Sequence, residues 1–403
     1  MKNKIQAYTS VLFVAAAIVF SGCRKEKIKP EQADMFIKYY GKSGTQTAGN
    51  VALTNDGGYI LVGTSDSYGN GKDILVVKTD KYGNEAWSKV LGGAGDDAGN
   101  FVQVTTDGNY IITGAKAETA SPANTDEYIA KLNTSGTVMW EKTYGTAGKN
   151  DAGNKIINTS DGGYISVGTT EAFVNAASAV YLIKTNVTGD TLWTAKYGNN
   201  NSTNVGTGIR QISDLSYVTS ASTVNLATTA QDMLETTGRL QIGTGYNSNS
   251  NVQKQTIDPS IIDAKDIILN SGGDKFVLGN NSQGSGYIAN ISAGDQKISY
   301  TALNISSQNQ VSGFSRTADG GFIIAGSTMQ NGTWDVLVIR ADANASVLWT
   351  KTFGGTGNDY GASVVQESDG SFAVAGSIAF GGNGTGANQV MSLIHINADG
   401  ELK

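Results

Sequence analysis

Short apolar runs separated by turn residues set the pattern of this chain. Asn100–Thr105, Tyr110–Thr113, Tyr128–Leu132 and Val138–Thr143 are rich in Val, Ile and Tyr, and Gly, Asn, Asp and Ser fill the gaps between them. Runs of this length predict strands, and none holds a helical period. The first two are separated by Asp107-Gly108-Asn109. Asp-Gly before an apolar run predicts a tight turn, because Gly supplies the positive φ that the turn needs.

The unit recurs along the chain. Its turn returns as Asp56-Gly57-Gly58-Tyr59, Asp161-Gly162-Gly163-Tyr164, Asp319-Gly320-Gly321-Phe322 and Asp369-Gly370-Ser371-Phe372. Weaker copies are Asp214-Leu215-Ser216-Tyr217 and Gly272-Gly273-Asp274-Lys275-Phe276. The tryptophans count independently: Trp87 to Trp140 and Trp140 to Trp193 are each 53 residues, and Trp193 to Trp349 is 156, room for two further units without the Trp. A period near 50 with four short strands per unit predicts an all-β fold, a seven-bladed β-propeller of four-stranded antiparallel blades. The fourth-strand positions are Phe36, Trp87, Trp140, Trp193, a copy near Leu240, one near Ile298, and Trp349.

The last unit stops at Asp399-Gly400-Glu401-Leu402-Lys403, before its fourth strand. Phe36-Ile37-Lys38-Tyr39-Tyr40-Gly41 matches Trp349-Thr350-Lys351-Thr352-Phe353-Gly354 position for position. The expectation is a ring over residues 34–403, closed by an amino-terminal strand that completes the last blade and hides the open edges.

Upstream, Met1-Lys2-Asn3-Lys4 is basic and Val11 to Phe20 is apolar throughout. That run is too short for a bilayer, which needs about 20 residues. It ends in Phe20-Ser21-Gly22-Cys23, with the only cysteine. The segment resembles a bacterial lipoprotein signal peptide and lipobox, with Phe20 where Leu is usual. The resemblance implies a signal over 1–22, cleavage before Cys23 and lipid attachment to Cys23. The other reading is an ordinary secretory signal with Cys23 incidental or a buried thiol. Residues 23–33, charged and polar, read as a tether, and basic residues beside a lipid favour an anionic membrane surface.

Composition narrows the partners. Fifty-two glycines and three prolines suit many tight turns, and one cysteine leaves no internal disulfide. The formal charge is −6, and −8 once Lys2 and Lys4 are removed. Without a basic cluster beyond the tether, nucleic acid is not an expected partner.

The units resemble the propeller repeats of many bacterial envelope proteins, on the pattern Asp-Gly-Gly-Tyr-Ile, then Gly-Thr, Lys-x-Asp and Trp-x-Lys-x-Tyr-Gly. Asp80-Lys81-Tyr82-Gly83-Asn84-Glu85-Ala86-Trp87 is also similar to the Gly-to-Trp segment of quinoprotein-like propellers, a wider group that includes an outer-membrane assembly lipoprotein. The resemblance covers residues 34–403, with a poor match around 200–250 and 255–303. It implies a fold and a location in the cell envelope, as an outer-membrane lipoprotein. It does not imply an activity, because propellers host many functions.

Catalytic residue types are sparse. His395, the only histidine, stands in a third strand where other units carry Lys78, Lys131, Lys184 or Arg340, so packing is a simpler reading than a general base. One His and one Cys exclude His/Cys zinc sites and a Cys–His dyad. Asp96-Asp97 belongs to a repeated loop, and Asp73, Asp126 and Asp335 precede third strands as loop or strand-start residues. The glycine-rich Gly92-Gly93-Ala94-Gly95 precedes no helix, so it is not a phosphate cradle. No catalytic residue, metal site or cofactor is assigned. The favoured reading is a lipid-anchored, non-catalytic module that binds an envelope protein or a glycan. The alternative is a carbohydrate hydrolase or lyase, which needs two carboxylates from different blades about 5–10 Å apart in a deep pocket.

Counting back from the turn aspartates gives Asp97, Asp151, Asn204, Asn309 and Asp359, each just before a first strand. First strands line the channel of a propeller, so these residues are expected to ring one mouth of it, beside the loops Ala115–Thr125 and Ser377–Asn388. Carboxylates and amides so placed suit a cation or a sugar's hydroxyls. The architectural reading is that each caps its own loop, as Asx turns do.

Overall fold

The computed structural model describes residues 34–402, apart from 70, 118, 120–123, 174–175, 199–200, 215, 226–230, 239–251, 257–260, 282, 295–297, 306–307 and 381–387. Cys23, the signal and tether segments and Leu240 lie outside the described residues.

The strands pair into four-stranded antiparallel sheets, running from inner to outer strand in chain order except in the last, whose outer strand is the first of the chain. Sheet I is β2 (Gln46–Leu53), β3 (Tyr59–Ser65), β4 (Asp73–Thr79) and β5 (Glu85–Leu91). Sheet II is β6 (Ala98–Val104), β7 (Tyr110–Ala117), β8 (Thr125–Leu132) and β9 (Val138–Tyr144). Sheet III is β10 (Asp151–Asn158), β11 (Tyr164–Thr170), β12 (Ala179–Thr185) and β13 (Thr191–Tyr197). Sheet IV is β14 (Ser202–Ser213), β15 (Ser216–Asn225), β16 (Gln231–Gly238) and β17 (Val252–Thr256). Sheet V is β18 (Ile261–Leu269), β19 (Lys275–Asn281), β20 (Gly286–Ile291) and β21 (Ile298–Ala302). Sheet VI is β22 (Asn309–Arg316), β23 (Phe322–Gln330), β24 (Thr333–Ala341) and β25 (Val347–Phe353). The last sheet is β26 (Tyr360–Gln366), β27 (Phe372–Phe380), β28 (Asn388–Ile396) and β1 (Phe36–Tyr40). Each first strand, from β2 to β26, contacts the next, and β26 contacts β2, so the sheets are the blades of a closed propeller. The side chains of β16 and β17 lie outside the described residues; the other sheets can be followed to their outer strands.

Some boundaries differ from the sequence expectation: the first strand of sheet II is Ala98–Val104 rather than Asn100–Thr105, and the ends of the expected loop Ser377–Asn388 pair as strand through Phe380↔Asn388. The second and third strands of sheet II run on through Lys116↔Asp126 and Ala117↔Thr125, because the backbone ladder continues where the side chains have turned polar. The fourth strand of sheet IV is Val252–Thr256 rather than a copy near Leu240.

Packing explains why the middle strands read as continuous apolar runs. Every position of β4 is buried, because both faces of a blade meet a neighbour. Ile60, Val62, Ile74 and Val76 pack with Val102, Ile112 and Tyr128 of sheet II, and Leu61, Leu75 and Val77 pack with Phe36, Tyr40, Ala373 and Leu393 of the last sheet. The tryptophans make one repeated contact: Trp87, Trp140, Trp193 and Trp349 lie 6.0–6.3 Å, centroid to centroid, from Tyr110, Tyr164, Tyr217 and Phe372, an aromatic residue at the start of the second strand of the next blade. Phe36 makes the same contact with Tyr59 across the closure, at 6.5 Å.

The turns repeat in detail. Gly57 has φ +80° and donates its N–H to Thr54 O, the Thr54 hydroxyl donates to Asp56, and Lys78 of the third strand reaches back to Asp56 at 2.8 Å. Partial burial works against Asp56 ionising, but Lys78, Thr54 and the Gly58 N–H outweigh it and hold the carboxyl down to about 2. Lys131–Asp107, Lys184–Asp161 and Arg340–Asp319 repeat the pair at 2.6, 2.9 and 2.5 Å.

At the closure the pair changes. β1 pairs with β28 from Phe36↔His395 to Tyr40↔Met391. His395 takes the place of the lysine and Glu367 that of the threonine. His395 Nε2 lies 2.6 Å from Glu367 Oε1, its Nδ1 meets Asp34 O, and Tyr59 donates its hydroxyl to the same Glu367 oxygen at 2.5 Å. Burial works against the imidazolium, but Glu367 and the Asp34 carbonyl outweigh it and raise the His395 pKa. A histidine raised in the folded state contributes stability that is fully present below its unfolded pKa, about 6.5, and is lost as pH rises through its folded pKa. Urea midpoints should therefore fall as pH rises above about 6.5. His395→Gln should flatten that dependence, and an unchanged slope in the variant would assign the titration to another group.

Candidate functional site: the central channel

The first strands surround a channel with a cavity of about 580 Å³, which adjoins a second of about 410 Å³ at one mouth. Each first strand carries a β-bulge at the same place, at Gly49, Asn100, Asn154, Thr207, Lys265, Ser312 and Ala362. A bulge adds one residue against its partner strand and re-aims the side chains around it. Here the bulge residues all line the channel. Two of them also stitch blades together: Asn100 Nδ2 donates to Gly153 O at 2.9 Å and Asn154 Nδ2 to Gly206 O at 2.7 Å.

The residues after the bulges are Asn50, Phe101, Lys155, Gly208, Asp266, Gly313 and Ser363. Two charges in this set make the channel irregular. Lys155 of sheet III reaches past sheet IV to Asp266 of sheet V, and both are buried. Gly208 leaves the gap: a Cβ there would stand 2.6 Å from Ile267 N and 2.7 Å from Asp266 Oδ1. Arg210 Nη2 lies 3.5 Å from the same carboxylate, and the Lys155 ammonium sits 4.9 Å from the Phe101 ring centroid. Burial, then Arg210, push the Lys155 amine down to about 8, with Asp266 opposing.

Asp97, Asp151, Asn204, Asn309 and Asp359 lie elsewhere. None is among the described residues lining the channel cavities, and all five are buried. Asp97 accepts from the N–H groups of Gly93 and Ala117, Asp359 from those of Gly355 and Ala379, and Asp151 from that of Thr146. Asn309 accepts from Gly286 N, and Asn204 bonds the Ser178 carbonyl and the Thr223 hydroxyl. In place of the expected ring around a mouth, Asp97, Asp151 and Asp359 cap the loops before their first strands, whereas Asn204 and Asn309 bond groups of neighbouring strands. The chain enters each first strand from an outer strand, and its unpaired N–H groups draw the three carboxylates back under the loop. Asp151 also borders a separate groove of about 300 Å³ between sheets III and IV.

The strand-start aspartates Asp73 and Asp335 lie beside these caps. Asp73 Oδ1 and Asp97 Oδ2 would stand 3.0 and 2.2 Å from a Cβ on Gly92, and Asp335 Oδ1 and Asp359 Oδ2 would stand 2.5 and 2.3 Å from one on Gly354. Burial, then the neighbouring carboxylate, raise Asp73 and Asp335. Among the described residues no group of three or more His, Cys, Asp or Glu is placed to hold a metal ion.

His395 sits at the closure seam, bonded to Ser371 and Glu367, and is not among the channel-lining residues. Residue-type reasoning passed over Lys155, Arg210 and Asp266 because Lys, Arg and Asp are common. Aligning the units on their turns exposes the two charges beside the bulge, where other blades carry Asn, Phe, Gly or Ser. The same alignment isolates Glu127, fully buried where other blades have Ile74, Val180 and Val336, whose carboxyl burial pushes up to about 8.

No family model matches the chain, and no curated protein does. Among solved structures it is similar to a protein of unknown function from Dyadobacter fermentans, at 10% identity and TM-score 0.50, covering 90% of this chain and 97% of that one. It is similar to Raptor from Chaetomium thermophilum, at 10% identity and TM-score 0.55, covering 90% of this chain and 29% of that one. It is also similar to YCF48 bound to D1 peptide, at 10% identity and TM-score 0.50, covering 90% and 95%. At such identities the likeness is one of fold, and the class it defines is the β-propeller.

Proposed function

We propose that this chain is a lipid-anchored, non-catalytic binding module of the cell envelope, a seven-bladed ring whose channel takes part of an envelope protein or a glycan. The observation that carries the reading is the channel itself, lined by polar and apolar side chains from every blade and by charges that break the repeat. Architecture accounts for what recurs in every blade; Lys155, Arg210 and Asp266 do not recur. Among the described lining residues Asp266 is the one carboxylate, whereas a hydrolase of the glycosidase type needs two. YCF48, of like fold, is known with a bound peptide. The anchor rests on the sequence around Cys23.

Two measurements test this. A photoreactive residue in place of Ser312, at the channel mouth, should cross-link one envelope component, and the same probe at the exposed outer residue Leu192 should not. Equal products from both positions would refute channel binding. Cys23→Ser should release soluble protein or leave uncleaved precursor; a processed variant that still fractionates with the outer membrane would refute the anchor.

A further inference from the structure

The charged residues among the described channel lining are Lys155, Arg210, Lys265 and Asp266, three cations to one carboxylate, in a protein whose formal charge is −6. Asp266 is shared between Lys155 and Arg210, and its longer contact, at 3.5 Å, is to Arg210. Lys265 pairs with Asp263 at 2.7 Å, but Asp263 is not among the lining residues, and a third of the Lys265 side chain is exposed. A cavity walled by protein holds such an excess more strongly than open water would, because the low-dielectric walls focus the field. The excess favours an anion, and its two accessible members stand at different blades along the same channel.

The mouth adds a second chemistry. Its cavity of about 410 Å³ is lined by Tyr360, Gln389, Thr47, Ser312 and Ser377 together with Lys265. Tyr360 is 37% exposed. A half-exposed aromatic face beside hydroxyls and an amide suits the apolar face and the hydroxyls of a sugar ring. Both cavities fall in the size range of small-ligand sites, about 300–1,000 Å³.

We propose that the channel binds the end of an acidic, uronate-containing glycan, with a ring against Tyr360, one carboxylate at Lys265 and a further one directed inward to Arg210. The proposal rests on the channel-binding reading above and adds the ligand's charge and class. Lys155 and Asp266 hold the inner wall in place, whereas Lys265 and Arg210 contact the ligand.

The test is calorimetry on the full chain in detergent, with a short oligogalacturonate as the probe and its methyl ester as the neutral counterpart of equal shape. The acid should bind at least about tenfold more tightly than the ester, as expected for one charge-assisted contact. Lys265→Gln and Arg210→Gln should each weaken the acid by about tenfold and leave the ester unchanged. Both residues are partly exposed, so the variants should fold, and an unchanged melting temperature would verify it. Raising salt from about 0.05 to about 0.5 M should weaken the acid, because exposed charges are screened. Equal binding of acid and ester, or uptake of a glutamate-rich peptide but not the oligouronate, would overturn the proposal while leaving channel binding in place. Binding of none of these probes, together with no cross-link from Ser312, would overturn both.

Discussion

Asp266→Ala should destabilise the ring by about 3–5 kcal/mol, measured as the loss in urea unfolding free energy at neutral pH. The carboxylate is the partner of a buried ammonium, Lys155, and the nearest other charge, Arg210, is of the same sign. Removing Asp266 leaves Lys155 to shed its proton or remain charged without a partner, and both are costly. The direction with pH follows. A lysine depressed in the folded state binds fewer protons there than in the unfolded chain, so stability rises with pH. The variant should thus recover part of its loss towards pH 10 and be weakest in acid, up to the limits of the other groups. Lys155→Met with Asp266→Leu should restore much of the stability, because replacing both members of a buried pair by apolar residues of similar volume is often neutral or stabilising. A loss below about 1 kcal/mol in Asp266→Ala would mean that water already reaches the pair, as at surface ion pairs.

Deleting residues 34–41 should cost more. The deletion removes β1, with buried Phe36 and Tyr40, and opens the edge of β28 from Met391 to His395. Phe-to-Ala changes in cores alone cost about 3–5 kcal/mol. The deletion also removes the strand's hydrogen bonds and the Asp34 contact to His395, and leaves Tyr59 without the Phe36 ring. The bared edge is a template for a second chain, so the truncated protein should dimerise or aggregate on gel filtration. A synthetic Asp34–Gly41 peptide should restore the monomer and raise the unfolding midpoint, as in other strand-addition complexes. A monomeric truncation with an unchanged midpoint would show that β1 does not close the ring.

The sequence was most legible where one residue type does one local job. Gly57 and its counterparts announce the turns because their φ is positive, and Lys78 and Asp56 are paired by a register that the strand spacing already contains. The tryptophan period marked the fourth strands, and in the fold each Trp meets an aromatic residue just past the next blade's turn. Sheets IV and V were hardest to read. They lack the Trp, and the fourth strand of sheet IV comes at Val252–Thr256, displaced by an insertion that no period marks.

By itself the chain determined the strands, their antiparallel order and the closure by Phe36–Tyr40, because turn residues, apolar runs and period are local properties that repeat. Only the tertiary structure decided what lies in the channel. It drew Asp97, Asp151 and Asp359 back under their loops, where unpaired N–H groups needed acceptors, and turned Asn204 and Asn309 onto groups of neighbouring strands. It brought Lys155 to Asp266 across an intervening blade, through the gap at Gly208. Those two residues are 111 positions apart, and no spacing along the chain encodes their meeting. The ring's curvature and the bulges that aim both side chains inward bring them together.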